Sequence, residues 1–271
     1  MSDIESLEQI AKEVRRDILV MLNKSGSGHS GGSLSVTDIL VALYFGKIMN
    51  YDPHNPEDEE RDRLVLSKGH ACPALYAVLS KAGYFERDLL WSLRKLGSPL
   101  QGHPDSKKLP GIDAATGSLG NGISQAVGMA LAAKVLKKKY KVFCIVGDGE
   151  MDEGLVYEAL NVAGHYKLSN LIVIVDNNGL QIDGKCSDVM NIYPLKDKFD
   201  AFNFKTFEIG GHNYKSLLDT LTTAKRNVLK PSAIIARTVK GMGVSFMANK
   251  VEYHGVAPSD DELKRALEEL K

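Results

Sequence analysis

Two short runs in the sequence carry residue types suited to holding a metal-bound phosphate. Gly147-Asp148-Gly149 and Asp176-Asn177-Asn178 each follow an apolar stretch, and Asp148 and Asn178 stand about thirty residues apart. A carboxylate and an amide oxygen are hard ligands, and magnesium takes a few of these and completes its octahedron with phosphate oxygens and water. Gly147 and Gly149 let the backbone approach a phosphate closely, and an N–H there can donate to it. A lone Gly-Asp-Gly after a strand is ordinarily a tight turn, and a lone Asn-Asn says less. The pair, separated by the length of one strand–helix–strand unit, is far more specific.

Imidazoles form the second set. The seven histidines are His29, His54, His70, His103, His165, His212 and His254. Near neutral pH an imidazole can give or take a proton, which suits general acid–base work. His29, His70, His103 and His254 each adjoin a glycine in an expected loop. His54, inside Asp52-Pro53-His54-Asn55-Pro56, is expected to be a surface or structural residue, as are His165 at a helix end and His212 in a Gly-Gly-His turn.

These residues need elements that bring them together. Apolar spacing predicts helices over 4–22, 36–49, 74–82, 86–93, 123–138, 155–166, 217–228 and 260–270. It predicts strands over 63–66, 141–146, 170–175, 206–209 and 232–239. Short apolar strands alternating with helices predict an α/β fold, a mostly parallel sheet with helices on both faces, as one domain over 1–271. In such sheets ligands bind beyond the carboxyl ends of the strands, where both runs fall.

Lys plus Arg and Asp plus Glu number 34 each, so no global field draws nucleic acid or an anionic membrane. No apolar run reaches the length of a membrane span, and residues 1–14 lack the apolar core of a signal peptide. Cys72, Cys144 and Cys186 are far apart with no CxxC, which fits a reducing compartment, and a cytoplasmic protein is expected. The absence of GxxxxGK[ST], and of GxGxxG after a strand, argues against a stand-alone nucleotide-binding protein.

The Gly-Asp-Gly…Asn pair resembles the thiamine diphosphate signature. Other ordered motifs widen the resemblance: Ser27-Gly28-His29, Ser67-Lys68-Gly69-His70, Gly102-His103-Pro104, the glycine-rich stretch 116–122 and His254-Gly255-Val256-Ala257-Pro258. Over about residues 7–267 the chain resembles the N-terminal half of transketolase. The resemblance implies a thiamine-diphosphate-binding fold and transfer of a two-carbon ketol unit from a ketose phosphate to an aldose phosphate. It implies that Asp148, Asn178 and the carbonyl of Leu180 hold Mg2+, and that Gly149 donates its N–H to the diphosphate. Gly117 and Leu119 would line the cofactor, with Ile182 as an apolar neighbour and Lys240 close by in a Lys-Gly-Met-Gly loop. His29 and His103 would contact the substrate carbonyl and hydroxyls. His70 and His254 would lie near the diphosphate and the reacting centre, with His254 also a proton-transfer group. The family usually has Pro where Ser30 and Ser118 stand; each change loosens a backbone restraint and neither removes a ligand.

A full transketolase continues well beyond a chain of this length, and its pyrimidine-binding domain supplies the Glu that hydrogen-bonds the aminopyrimidine. The resemblance therefore implies a split enzyme. Its partner would be a C-terminal transketolase subunit carrying the pyrimidine-binding and C-terminal domains, in a heterotetramer with two copies of each chain. Sugar phosphates would be the substrates, with no nucleic acid or membrane involved. Glu153 would lie at the interface. The docking face would be the helix with Leu155, Ala159, Leu160 and Val162, or the one with Ile123, Val127 and Met129, although periodicity alone reads both equally well as core faces. An alpha-type subunit of a 2-oxo acid dehydrogenase shares the signature and the need for a partner, but is not expected to carry the histidine loops. A non-catalytic cofactor-binding module is at odds with four such loops.

Overall fold

Apolar runs bounded by glycine, proline and polar loops build the centre of the chain. The structure is a computed structural model describing residues 4–271; residues 1–3, the start of the N-terminal stretch read above for a signal, lie outside the described residues. In chain order the strands are β1 (Arg63–Leu66), β2 (Val142–Gly147), β3 (Leu171–Asn177), β4 (Leu180–Gln181), β5 (Gly184–Lys185), β6 (Lys205–Gly210) and β7 (Ser232–Arg237). Five of them form an all-parallel sheet in the order β1-β2-β3-β7-β6, and β4 with β5 makes a small hairpin.

Side chains alternate across each strand, so the sheet has two apolar faces. Phe143, Ile145, Ile172, Ile174 and Ile234 face a core shared with α1 (Ile4–Ser25), α2 (Ser30–Phe45), α3 (Cys72–Lys81), α8 (Tyr214–Arg226) and α9 (Asp260–Glu269). Val142, Cys144, Val146, Val173 and Val175 face a second core shared with α4 (Asn121–Val135), α5 (Gly154–His165) and α7 (Leu195–Ala201). A short helix, α6 (Cys186–Val189), follows the hairpin. The expected architecture, a parallel sheet covered on both faces, is the one observed.

Beyond shifts of one to three residues at other element ends, three local expectations differ. The helix expected over 36–49 begins at Ser30 and ends at Phe45, and every residue from Ser30 to Tyr44 is buried. Gly31 and Gly32 disfavour a helix by propensity, but a side chain at Gly31 has no room. A Cβ on Gly31 would meet Lys240 Cγ at 2.8 Å and the Tyr253 carbonyl at 3.0 Å, whereas one on Gly32 would make ordinary contact with His70 Nε2 and Lys68 Nζ at 3.4 Å. Residues 86–93 form a 3-10 segment, Arg87–Ser92, with i to i+3 bonds at Leu89 and Leu93. Of the side chains expected to dock a partner, Ile123, Val127, Ala159 and Leu160 are packed in the second core, and Met129 is partly buried against it. Leu155 and Val162 of α5 are 39% and 38% exposed. Those two stay on the surface because the helix turns one stripe inward and the other out.

Candidate active site

Parallel register sets the site. Gly147 pairs with Asp176, and Asp176 in turn with Ala236, so β2, β3 and β7 end level with one another. The residues that follow, Asp148, Asn178 and Lys240, reach one cavity of about 200 Å³. The loop after β1 brings Lys68 and His70 to the same cavity, and the loop before α2 brings His29. His103, Gly117, Leu119, Gly149, Leu180, Ile182 and His254 complete the set of sequence-expected residues around it. His54, His165 and His212 lie elsewhere. His54 and His165 are exposed, the latter edge-on to the Tyr166 ring.

Asp148 is nearly buried and accepts from the N–H of Gly149 at 2.9 Å and of Gly179 at 2.5 Å. Burial, with the negative charge of Asp176 behind it, pushes its carboxyl up to about 6. Asn178 Oδ1 accepts from the N–H of Leu180 at 3.1 Å, and the Leu180 carbonyl accepts from Lys240 Nζ at 3.3 Å. Each oxygen expected to face a cation therefore has a donor on it, and the Gly149 N–H expected to face a phosphate is held by Asp148. Gly149 itself is confined: a Cβ there would meet Gln181 Cβ at 2.9 Å. Among the described residues no cluster of three His, Cys, Asp or Glu side chains is spaced to hold a metal. A cation here would rest on one carboxylate and neutral oxygens, with the remaining positions left to ligand oxygens and water.

Three imidazoles face one another across the cavity. Ring centroids are 5.1 Å apart for His29 and His70, and 5.4 Å apart for His29 and His254 and for His70 and His254. Burial lowers all three below the ordinary histidine value, His29 to about 4 and His254 to about 3, and nearby positive charge adds to the effect. They are neutral imidazoles at neutral pH. His29 Nδ1 is buried without a hydrogen-bond partner. His103 stands at the outer edge, exposed, with its ring against Gly117, where a Cβ would come within 2.9 Å. The Lys240 ammonium, lowered to about 8 by burial and then by the charge of Lys68, lies 2.8 Å from His254 Nδ1.

Several supporting residues were not legible in the sequence. Lys68 pairs with the buried Asp176 at 2.5 Å and donates to the Gly32 carbonyl at 3.1 Å. Asp176 also accepts from Ser35 and Thr238; burial opposes its charge, but the Lys68 ion pair and these bonds outweigh it and lower its carboxyl below the ordinary range. Glu150 accepts from Ser67, from the Gly120 N–H at 2.9 Å and from the Gly147 N–H at 3.1 Å, which joins three cavity loops. His212 is structural, as expected. Its Nδ1 is 2.6 Å from Asp38, which Arg15 and Tyr214 also contact, and its Nε2 accepts from the Val239 N–H at 2.8 Å, beside Lys240. The only signal for these roles was position next to a motif.

The family described as the thiamine diphosphate binding domain of transketolase matches residues 6–270. The chain is 44% identical to the 6-deoxy-6-sulfo-D-fructose transketolase subunit SqwG of Clostridium sp. (strain MSTE9), over 98% of this chain and 96% of that one. It is 42% identical to an apulose-4-phosphate transketolase subunit from Actinobacillus succinogenes, with the same coverage. Against the crystal structure of Campylobacter jejuni transketolase the TM-score is 0.93 at 35% identity, covering 99% of this chain but only 43% of that one. The chain thus spans nearly all of the subunit-sized relatives and less than half of the longer one.

Proposed function

The chain belongs to the transketolase family as its thiamine-diphosphate-binding part, and from that premise we propose that it is one half of a split enzyme transferring a two-carbon ketol unit between sugar phosphates. When bound, thiamine diphosphate supplies the electron sink for breaking and remaking the carbon–carbon bond. The chain's own residues would bind, orient and move protons.

One observation carries the reading: three neutral imidazoles converge on the cavity that also holds Asp148 and Lys240. The donor set suits a magnesium diphosphate. Asp148 carries a carboxyl that burial destabilises as an anion, and a cation on it would offset that cost and release the Gly149 N–H for a phosphate oxygen. Asn178 and the Leu180 carbonyl would add neutral oxygens. Lys240, His70 and His254 would lie at the diphosphate, with Gly117, Leu119 and Ile182 beside the cofactor. The unpartnered Nδ1 of His29 calls for a polar group from substrate. His29 and His103 would contact the sugar carbonyl and hydroxyls, and His254 would hold or pass a proton at the reacting carbon's oxygen.

The cavity is built by one chain, yet the chain is less than half the length of the longer relatives. Its near-complete overlap with relatives named as subunits supports a separate partner that would bring the pyrimidine side of the cofactor site, and the assembly we propose holds two copies of each chain. Glu153, exposed at the start of α5, would sit at that interface with Leu155 and Val162. Residues 1–271 would act as one cofactor-binding domain. All three cysteines are buried free thiols, which supports a cytoplasmic location.

The test is to isolate the chain with whatever polypeptide accompanies it, retaining thiamine diphosphate and magnesium, and to assay ketose and aldose phosphates by product mass. A two-carbon shift between sugars is the expected result. Carbon dioxide release from a 2-oxo acid, with no shift between sugars, would replace this reading with that of a 2-oxo acid dehydrogenase subunit.

A further inference from the structure

The first turn of α2 touches two loops that carry cavity side chains. Gly31 accepts from the Gly241 N–H at 3.0 Å, next to Lys240, and a Cβ on Gly31 would meet the Tyr253 carbonyl at 3.0 Å, next to His254. Ser30 starts this turn and is wholly buried. Its hydroxyl lies 2.9 Å from the Val256 carbonyl and 3.2 Å from the Tyr253 carbonyl, so one donor bridges both ends of the segment holding His254.

We infer that Ser30 is a positioning residue: its hydroxyl latches residues 253–256 onto α2 and so keeps the His254 ring against His29 and His70. Other contacts anchor the ends of this segment: the Tyr253 hydroxyl donates to Glu262, the Tyr253 ring meets Phe246 edge-on, and the Pro258 carbonyl accepts from Asn23 at 3.1 Å. The His254 N–H donates to the Val251 carbonyl within the same loop, and the His254 side chain hydrogen-bonds Lys240 while its ring lies beside His29 and His70. Tyr253 and Ala257 pack against the first core, whereas Gly255 and Val256 between them are exposed, so at Val256 the Ser30 hydroxyl is the tie to the body. Proline at position 30 would suit the first turn of a helix but offers no donor, so the serine does more than relax a backbone restraint. The latch holds the loop in place before any cofactor arrives.

The catalytic consequence rests on the function proposed above, whereas the latch does not, and one experiment separates them. Amide hydrogen exchange is followed in the full chain without cofactor for wild type, S30A and S30T. Loss of one hydrogen bond predicts roughly three- to ten-fold faster exchange in S30A, confined to residues 251–257, with S30T close to wild type. Unchanged exchange in that segment would overturn the latch. So would an increase spread evenly over α2 and the sheet, which would mark Ser30 as ordinary packing. In the assembled enzyme S30A should lower kcat by a similar factor while KM for the aldose stays within about two-fold. A loosened segment with wild-type kcat would refute the positioning role. Wild-type complex without two-carbon transfer would count against the proposed function and leave the exchange result standing.

Discussion

The ammonium of Lys240 stands 2.8 Å from Nδ1 of His254, a geometry that makes the lysine the donor and fixes the imidazole with its proton on Nε2. After burial, the charge of Lys240 does most to keep His254 neutral. K240M should therefore raise the titration point of His254, read by NMR, and should weaken thiamine diphosphate binding about 10- to 100-fold by removing a charge-assisted donor. An unmoved His254 titration together with unchanged cofactor affinity would remove Lys240 from the site.

Asp148 is the sole carboxylate among the expected magnesium donors. D148A should weaken magnesium-dependent cofactor binding by at least about 100-fold, measured by calorimetry with and without chelator. Because its carboxyl lies at about 6 in the folded chain, protons should compete with the metal, and apparent magnesium affinity should fall as the pH drops below 6. Equal affinity in D148A and wild type would sink the metal assignment.

His103 is exposed at the rim, so its removal disturbs little packing. H103A should leave cofactor affinity within about three-fold and lower kcat by on the order of 100-fold, the usual scale for a positioned proton donor or acceptor. A large loss of cofactor affinity with kcat preserved would reverse that division of labour.

The buried imidazoles also set a pH response of stability. His29 and His254 titrate near 4 and 3 when folded, against 6.5 ordinarily, so their contribution is complete above 6.5 and is lost as pH falls through those folded values. Asp148 works in the opposite sense: raised from 3.8 to about 6, it favours the folded chain at low pH and ceases to do so as pH rises through 6. The imidazoles, His70 among them, outnumber it. The cofactor-free chain should melt at a lower temperature at pH 5 than at pH 7.5, and H254N should flatten the difference. Identical pH slopes in H254N and wild type would show that His254 is charged when folded.

What the sequence disclosed follows from what each residue type can do alone. Asp148, Asn178 and the glycine-flanked histidines announce themselves because hard ligands and imidazoles after apolar runs have few other uses. The sheet was legible from runs such as 141–146 and 170–175, which need both faces covered. The start of α2 was not, because Gly31 and Gly32 weaken a helix locally while Lys240 and the Tyr253 carbonyl, far along the chain, leave no room for a side chain at Gly31. Ile123 and Leu160 could be assigned to core rather than surface only once the sheet gave them something to pack against. Glu150 looks like any acid in a first turn until Ser67, Gly120 and Gly147 are seen to share it.

That shared carboxylate removes degrees of freedom. The loops bearing Lys68 and His70, Gly117 and Leu119, and Asp148 and Gly149 are all referred to the two oxygens of Glu150, so none can shift without straining the other two. Their ordering cost is met when the chain folds, and a ligand arriving there meets a nearly rigid wall rather than three independent flaps.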